Sequence, residues 1–261
     1  MAIGDPTWTQ IADVEENDLT DFNSTTTSGA GLIAASTTAA LAGTYGVLIT
    51  TVLGTANETA YGTLSGTTNK TEKTIETLFD PNALTMALND TFFLIRAGGS
   101  GAISTTMRVD LLFNTSSQYT ITAIMFNDAS GAHATTASVI TDASHTIRIV
   151  WKASTAVGAN NGYLYLYIDD VFIEALTGID NDGYDIDTVA FGAFSGIDAG
   201  TGGTFFLDNC QVYDGIYHST GISGSATLSG DLDVTLVALA FPQITTRLTN
   251  TYLTTSAVAG T

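Results

Sequence analysis

The stretch HTIRIVWKASTAVGANNGYLYLYIDDVFIEALTG, residues 145–178, decides the fold class. Ile147, Ile149 and Trp151 alternate with Arg148, Val150 and Lys152. After a Gly/Asn-rich turn at 157–162, Leu164, Leu166 and Ile168 alternate with Tyr163, Tyr165 and Tyr167. A period of two sends successive side chains to opposite faces, so these are two antiparallel strands that bury one face each. The Gly and Asn between them supply the backbone conformations that a hairpin connection needs.

Working outward, the chain continues into an acidic loop, Asp180-Asn181-Asp182-Gly183-Tyr184-Asp185-Ile186-Asp187. A short strand around 189–191 and a last strand, Phe205-Phe206-Leu207-Asp208-Asn209, follow. Upstream, strand texture recurs at 43–49, 57–61, 74–79, 91–96, 106–113 and 118–126. The polar run TTNKTEK at 67–73 holds two of the three lysines and reads as a solvated turn. Asp80-Pro81-Asn82 marks a turn, and ALTMALND at 83–90 reads as one short helical turn. Short strands at this spacing, separated by Gly/Ser- and Asn/Ser-rich turns, argue for a sandwich rather than βαβ units.

The order of these elements resembles the second half of a concanavalin A-like (laminin G-like) jelly roll. Asp169-Asp170 stands where that family usually has Asp-Gly. The segment 14–22, from Val14-Glu15-Glu16 to Phe22, resembles its first strand and turn, and 43–49 its second strand. The resemblance implies an all-β, antiparallel two-sheet jelly-roll sandwich over residues 1–214, with a short β-rich extension at 215–261. In that extension Leu232, Val234, Leu236 and Phe241 are too apolar to stand bare in water. They are expected to be buried against another subunit, giving a homo-oligomer or larger assembly. Packing on the parent domain is the alternative.

Charge narrows the partners. The chain of 261 residues has 26 acidic side chains against 7 Lys and Arg, a formal charge of −19. Such a chain lacks the basic surface that grips phosphate backbones or anionic lipid, so neither nucleic acid nor membrane insertion is expected. Its 44% apolar content argues against disorder. The single cysteine, Cys210, excludes an internal disulfide and reads as a small buried hydrophobe. No basic segment followed by an apolar run marks a signal peptide at the start. The expected location is a virion or an extracellular surface.

The resemblance also implies chemistry to look for. Its glucanase branch carries Glu-x-Asp-x-x-Glu on one strand; Glu15, Glu16, Glu58, Glu72, Glu76 and Glu174 all lack those companions. His133, His145 and His218 are scattered, and no nucleophile elbow, paired-Cys site or phosphate loop is present. The expectation is therefore that the chain is not an enzyme. Asp208, taken in phase with Phe206, Cys210 and Val212 on the inward face, would need a partner or a metal. The resemblance implies a structural calcium held by an acid near the first strand and one in the last, positions that Glu15 and Asp208 fit. The alternative is that Asp208 accepts backbone N–H groups. The loop 180–187 begins like a calcium loop but reads as a solvated turn. Tyr163 and Tyr167 form a candidate sugar platform if their face is open, with Tyr165 between them expected to be buried. Three classes compete: a non-catalytic structural subunit of a virus or phage particle, a glycan-binding module, and a polysaccharide-active enzyme. The first is the expectation.

Overall fold

The computed structural model describes residues 8–66, 68–99 and 105–217. Two antiparallel sheets of eight strands face each other. Sheet A runs β14 (Val171–Ile179), β13 (Gly162–Ile168), β12 (His145–Lys152), β6 (Glu72–Asp80), β16 (Gly203–Tyr213), β4 (Gly46–Thr51) and β3 (Leu32–Ser36), with β1 (Gln10–Ala12) also on β16. Sheet B runs β10 (Ala132–Ala134), β9 (Tyr119–Phe126), β8 (Thr105–Phe113), β7 (Thr91–Gly98), β15 (Thr188–Ser195), β5 (Thr59–Ser65) and β2 (Ser24–Ser28), with β11 (Ser138–Ile140) also on β9. The only helical element among the described residues is a 3-10 turn at Thr37–Ala39.

The decisive hairpin behaves as its alternation requires. Ile147 pairs with Ile168, Ile149 with Leu166 and Trp151 with Leu164. All six are buried in the core between the sheets. Each aliphatic member contributes about 1.5–3 kcal/mol relative to an exposed position. Phe92, Met107, Leu111, Ile121, Val189 and Phe191 of the other sheet belong to the same core. Asp169 and Asp170 connect β13 to β14 with φ of 52° and 61°, so an Asp-Asp pair adopts the left-handed turn that Asp-Gly usually makes.

Four sequence expectations need correction. The first strand is Gln10–Ala12, and residues 14–22 form turns instead. Residues 83–90 form no helical turn; Leu84 and Met86 plug the core while Thr85 bridges Gly202. Lys73 is no solvated turn residue, because it lies in β6 and is fully buried. Its ammonium meets the Asp214 carboxylate and the Asn69 carbonyl, which offsets the desolvation that pushes its pKa down. Finally, Asp208 is out of phase with Cys210 and Val212. Asn209, at φ 46°, forms a bulge between Asp208 and Gln211, so the inward residues are Phe205 and Leu207 before it and Cys210 and Val212 after it. Cys210 is fully buried, and desolvation pushes its thiol up to about 12.

Candidate functional site: the outer face of sheet B

The expected sites come first. Asp208 accepts the amide N–H groups of Leu41 (2.9 Å) and Ala42 (2.8 Å) on one oxygen and that of Asn209 (2.7 Å) on the other. Burial still holds its carboxyl above the usual range. Glu15 accepts from Thr44 at 2.9 Å and from Tyr45 at 3.4 Å. Gly43, at φ 64°, lies so close that an added Cβ would sit 1.9 Å from Glu15 Oε1. The two acids therefore tie residues 41–45 to the turn after β1 and to β16 through backbone amides. Elsewhere, Asp128, Asp180 and Asp182 bring ligand oxygens within 4.8 Å of one another, as do Asp13, Glu16 and Asp21. Amides of Gly183, Gly158 and Val14 occupy Asp128, Asp180 and Asp21.

The tyrosine stripe is not an open platform. Tyr165 and Tyr167 are buried in a second apolar cluster with Val150, against which Tyr163, Ala175 and Ile216 pack. Tyr163 stacks on Tyr165 at 4.5 Å, and desolvation pushes its phenol up to about 12. Residues 215–217 are anchored over this face: Thr74 donates its hydroxyl to the Gly215 carbonyl at 3.0 Å, and Tyr217 N–H returns to Thr74 Oγ1 at 2.9 Å. Of the two candidate platform residues, Tyr167 is thus covered and Tyr163 half-buried. Leu232, Val234, Leu236 and Phe241 lie outside the described residues.

A different face carries the chemistry. On sheet B the inward residues of β7 and β8 are apolar, so the alternate residues point out. Arg96 and Arg108 are direct cross-strand partners on that outer face. Side chains opposed in this way have Cβ atoms about 5 Å apart, and two like charges there are destabilising. In a chain with 7 cationic side chains and a net charge of −19, this juxtaposition runs against the overall balance.

Each guanidinium is oriented by an aromatic ring. Phe194 lies 4.4 Å under Arg96 Cζ, and Phe93 lies 4.1 Å under Arg108 Cζ. A register slip between Phe191 and Ser195 accompanies the turn of Phe194 onto this face, where Tyr61 packs 4.5 Å from its ring. Stacking on the ring fixes the plane of each guanidinium. Arg96 Nε donates to Thr105 Oγ1 at 2.8 Å. Burial pushes Arg96 below its ordinary value.

Asp110 is the carboxylate that the strands of this face place beside the pair. It opposes Phe93 across the ladder, lies 3.0 Å from Arg108 Nε, and is 8% exposed. Its Oδ1 meets no geometrically sound hydrogen-bond donor even so. Desolvation outweighs the ion pair and raises its pKa to about 6. The face thus combines two guanidiniums, one carboxyl that titrates near neutrality, a phenol and several flat rings.

Sequence reasoning missed this site. The usable signal was the phase of Arg96 and Arg108 within strands whose alternate residues are apolar.

No protein-family model and no curated protein sequence matches the chain. Solved structures do. An endo-β-1,4-glucuronan lyase from the fungus Trichoderma reesei is 13% identical, with a TM-score of 0.59 over 79% of this chain and 95% of its own. A carbohydrate esterase from Shiga toxin-encoding bacteriophage phi24B is 13% identical, with a TM-score of 0.51 over 79% and 97%. The ligand-binding domain of botulinum neurotoxin serotype D, in complex with N-acetylneuraminic acid, is 11% identical, with a TM-score of 0.52 over 81% of this chain and 48% of that one. At these identities the likeness is one of fold, and the fold is the concanavalin A-like jelly-roll sandwich. The comparisons also overturn the expectation that the chain is not an enzyme. A polysaccharide lyase and a carbohydrate esterase share this sandwich, so the missing Glu-x-Asp-x-x-Glu strand excludes one hydrolytic arrangement and not catalysis.

Proposed function

We propose that this sandwich binds an acidic glycan, a polymer of carboxylated sugars, on the outer face of sheet B. The observation that carries the reading is the cross-strand pair Arg96–Arg108, each stacked on a ring, with the Asp110 carboxylate beside Arg108. A sugar carboxylate bridging the guanidiniums relieves their mutual repulsion and forms charge-assisted hydrogen bonds. Tyr61, Phe93, Phe126 and Phe194 offer flat surfaces for pyranose rings on the same side. The solved relatives named for glucuronan and for N-acetylneuraminic acid both involve carboxylated sugars, which supports this class.

A second reading has its own observation. Tyr61 packs 4.5 Å from Phe194, the ring under the Arg96 guanidinium, and so lies beside that charge. Neutralising a uronate carboxylate acidifies the carbon-bound proton beside it; Tyr61 as phenolate would take that proton and, as the phenol so formed, return it to the departing glycosidic oxygen. The reaction class is β-elimination, in which Arg96 and Arg108 hold the carboxylate and Tyr61 moves the proton. A setting on a virus or phage particle has the bacteriophage esterase as its support among the fold relatives, and a homo-oligomer is tested by sizing the full-length chain.

Calorimetric titration with a polyuronate and with a neutral glucan tests the binding reading. Polyuronate should bind with an affinity that falls as salt rises, and Arg96→Ala or Arg108→Ala should weaken it tenfold or more, about 1.4 kcal/mol. Equal binding of the neutral glucan, or of polyuronate by the Arg96→Ala/Arg108→Ala double variant, overturns it. Appearance of unsaturated uronate ends, lost in Tyr61→Phe while binding persists, would establish the elimination.

A further inference from the structure

We propose that Thr141, His145 and Asp169 form a second, independent site, a nucleophilic centre for small neutral carboxylic esters. His145 Nδ1 lies 2.7 Å from Asp169 Oδ2, and His145 Nε2 lies 2.8 Å from Thr141 Oγ1. A carboxylate only accepts, so the imidazole proton sits on Nδ1 and Nε2 is the bare, basic nitrogen. Nε2 then accepts from the Thr141 hydroxyl and, at 3.2 Å, from the Thr141 amide. This is the connectivity of a hydroxyl nucleophile, a general base and an orienting acid, recognised by geometry rather than by order along the chain.

The three residues come from different elements, and the fold holds them together. Thr141 follows β11, His145 opens β12, and Asp169 is the first residue of the turn between β13 and β14. Asp169 is fixed at both backbone and side chain: its N–H donates to the Thr146 carbonyl at 2.9 Å, and its Oδ1 accepts from Thr146 N–H at 2.9 Å. The carboxylate is thereby aimed at the ring before any substrate arrives.

Thr141 is exposed and borders a cleft of about 500 Å³ lined by Phe113, Gln118, Tyr119, Val139, Ile140 and Asp142. That volume suits a small ligand. The aromatic and aliphatic wall accepts an apolar acyl or aryl group, and Asp142 on the rim repels an anionic one, so the substrate is a neutral ester.

In the first half-reaction Thr141 Oγ1 attacks the acyl carbon while its proton passes to His145 Nε2. The carbon–oxygen bond to the alcohol then breaks, and the departing oxygen takes that proton. In the second, water attacks the acyl-threonine through the same base, releasing the carboxylic acid and restoring Thr141. None of these residues belongs to the arginine face, so failure of either reading leaves the other standing.

The test is hydrolysis of p-nitrophenyl acetate by the full-length protein, with labelling by a fluorophosphonate probe read by mass spectrometry. Saturable hydrolysis and a single adduct on Thr141 are expected. Thr141→Val and His145→Ala should each lose about 100-fold or more, with the melting temperature of Thr141→Val unchanged. A protein no faster than free imidazole, or a Thr141→Val variant that hydrolyses and labels like the parent, overturns the proposal.

Discussion

The two outer faces of the sandwich use the same residue types to opposite ends. On sheet A, Arg148 is answered by Glu76 and, at 2.7 Å, by Asp170, and Lys152 by Glu72 at 2.9 Å. The tyrosines beside them are packed under Ile216, with Arg148 Cζ 5.4 Å from the Tyr217 ring. On sheet B two arginines oppose each other across a ladder with one reluctant carboxylate nearby. Charge on the first face is balanced within the fold, which marks it as structural. On the second, two like charges share a ladder position and the carboxylate beside Arg108 resists ionisation, which is the arrangement the proposed anion would relieve.

The largest effects that would break this contrast are on stability. Arg148→Ala should cost about 3 kcal/mol, because the nearly buried Glu76 carboxylate loses its guanidinium partner, while the exposed Asp170 adds little. Arg96→Ala should cost about 1 kcal/mol, the order of a stacking contact at a partly exposed ring. Denaturant melts of the two variants measure this; equal losses would remove the distinction between the faces. Asp208→Ala should fall between them at about 1–3 kcal/mol, since the amides of Leu41, Ala42 and Asn209 lose their acceptor.

A smaller effect sharpens the account of the binding face. The folded-state pKa of Asp110, about 6, lies above the ordinary 3.8, so the folded chain binds a proton that the unfolded chain releases. The contribution is therefore favourable at low pH and is lost as pH rises from about 4 to about 6. Asp110→Asn should remove that slope and raise the melting temperature at neutral pH. Polyuronate affinity should also rise as pH falls through about 6, because a protonated Asp110 no longer competes for Arg108. An unchanged pH profile in Asp110→Asn would show that another group titrates there.

How much of this was legible in the sequence depended on whether the signal was local. The hairpin of β12 and β13 was, because Ile147, Ile149, Trp151, Leu164, Leu166 and Ile168 alternate cleanly and burial follows alternation. β2 was not. Its five residues, Ser-Thr-Thr-Thr-Ser, are all exposed and owe their strand to pairing with β5. The phase of Asp208 was hidden by one bulge residue, Asn209, which no periodicity reveals. Lys73 read as solvated because its partner, Asp214, lies 141 residues away. The arginine pair was invisible for the same reason: Arg96 and Arg108 meet only through the register of β7 on β8. The covering of the tyrosine stripe was hidden too, since Ile216, which packs against it, lies in a segment well beyond the hairpin.

The most direct measurement is the structure of the protein with a bound uronate oligomer. The account predicts sugar carboxylates against the guanidiniums of Arg96 and Arg108, with pyranose rings on Tyr61, Phe93 or Phe194. An oligomer bound instead over Tyr163, or bound unchanged by the Arg96→Ala/Arg108→Ala double variant, would contradict it.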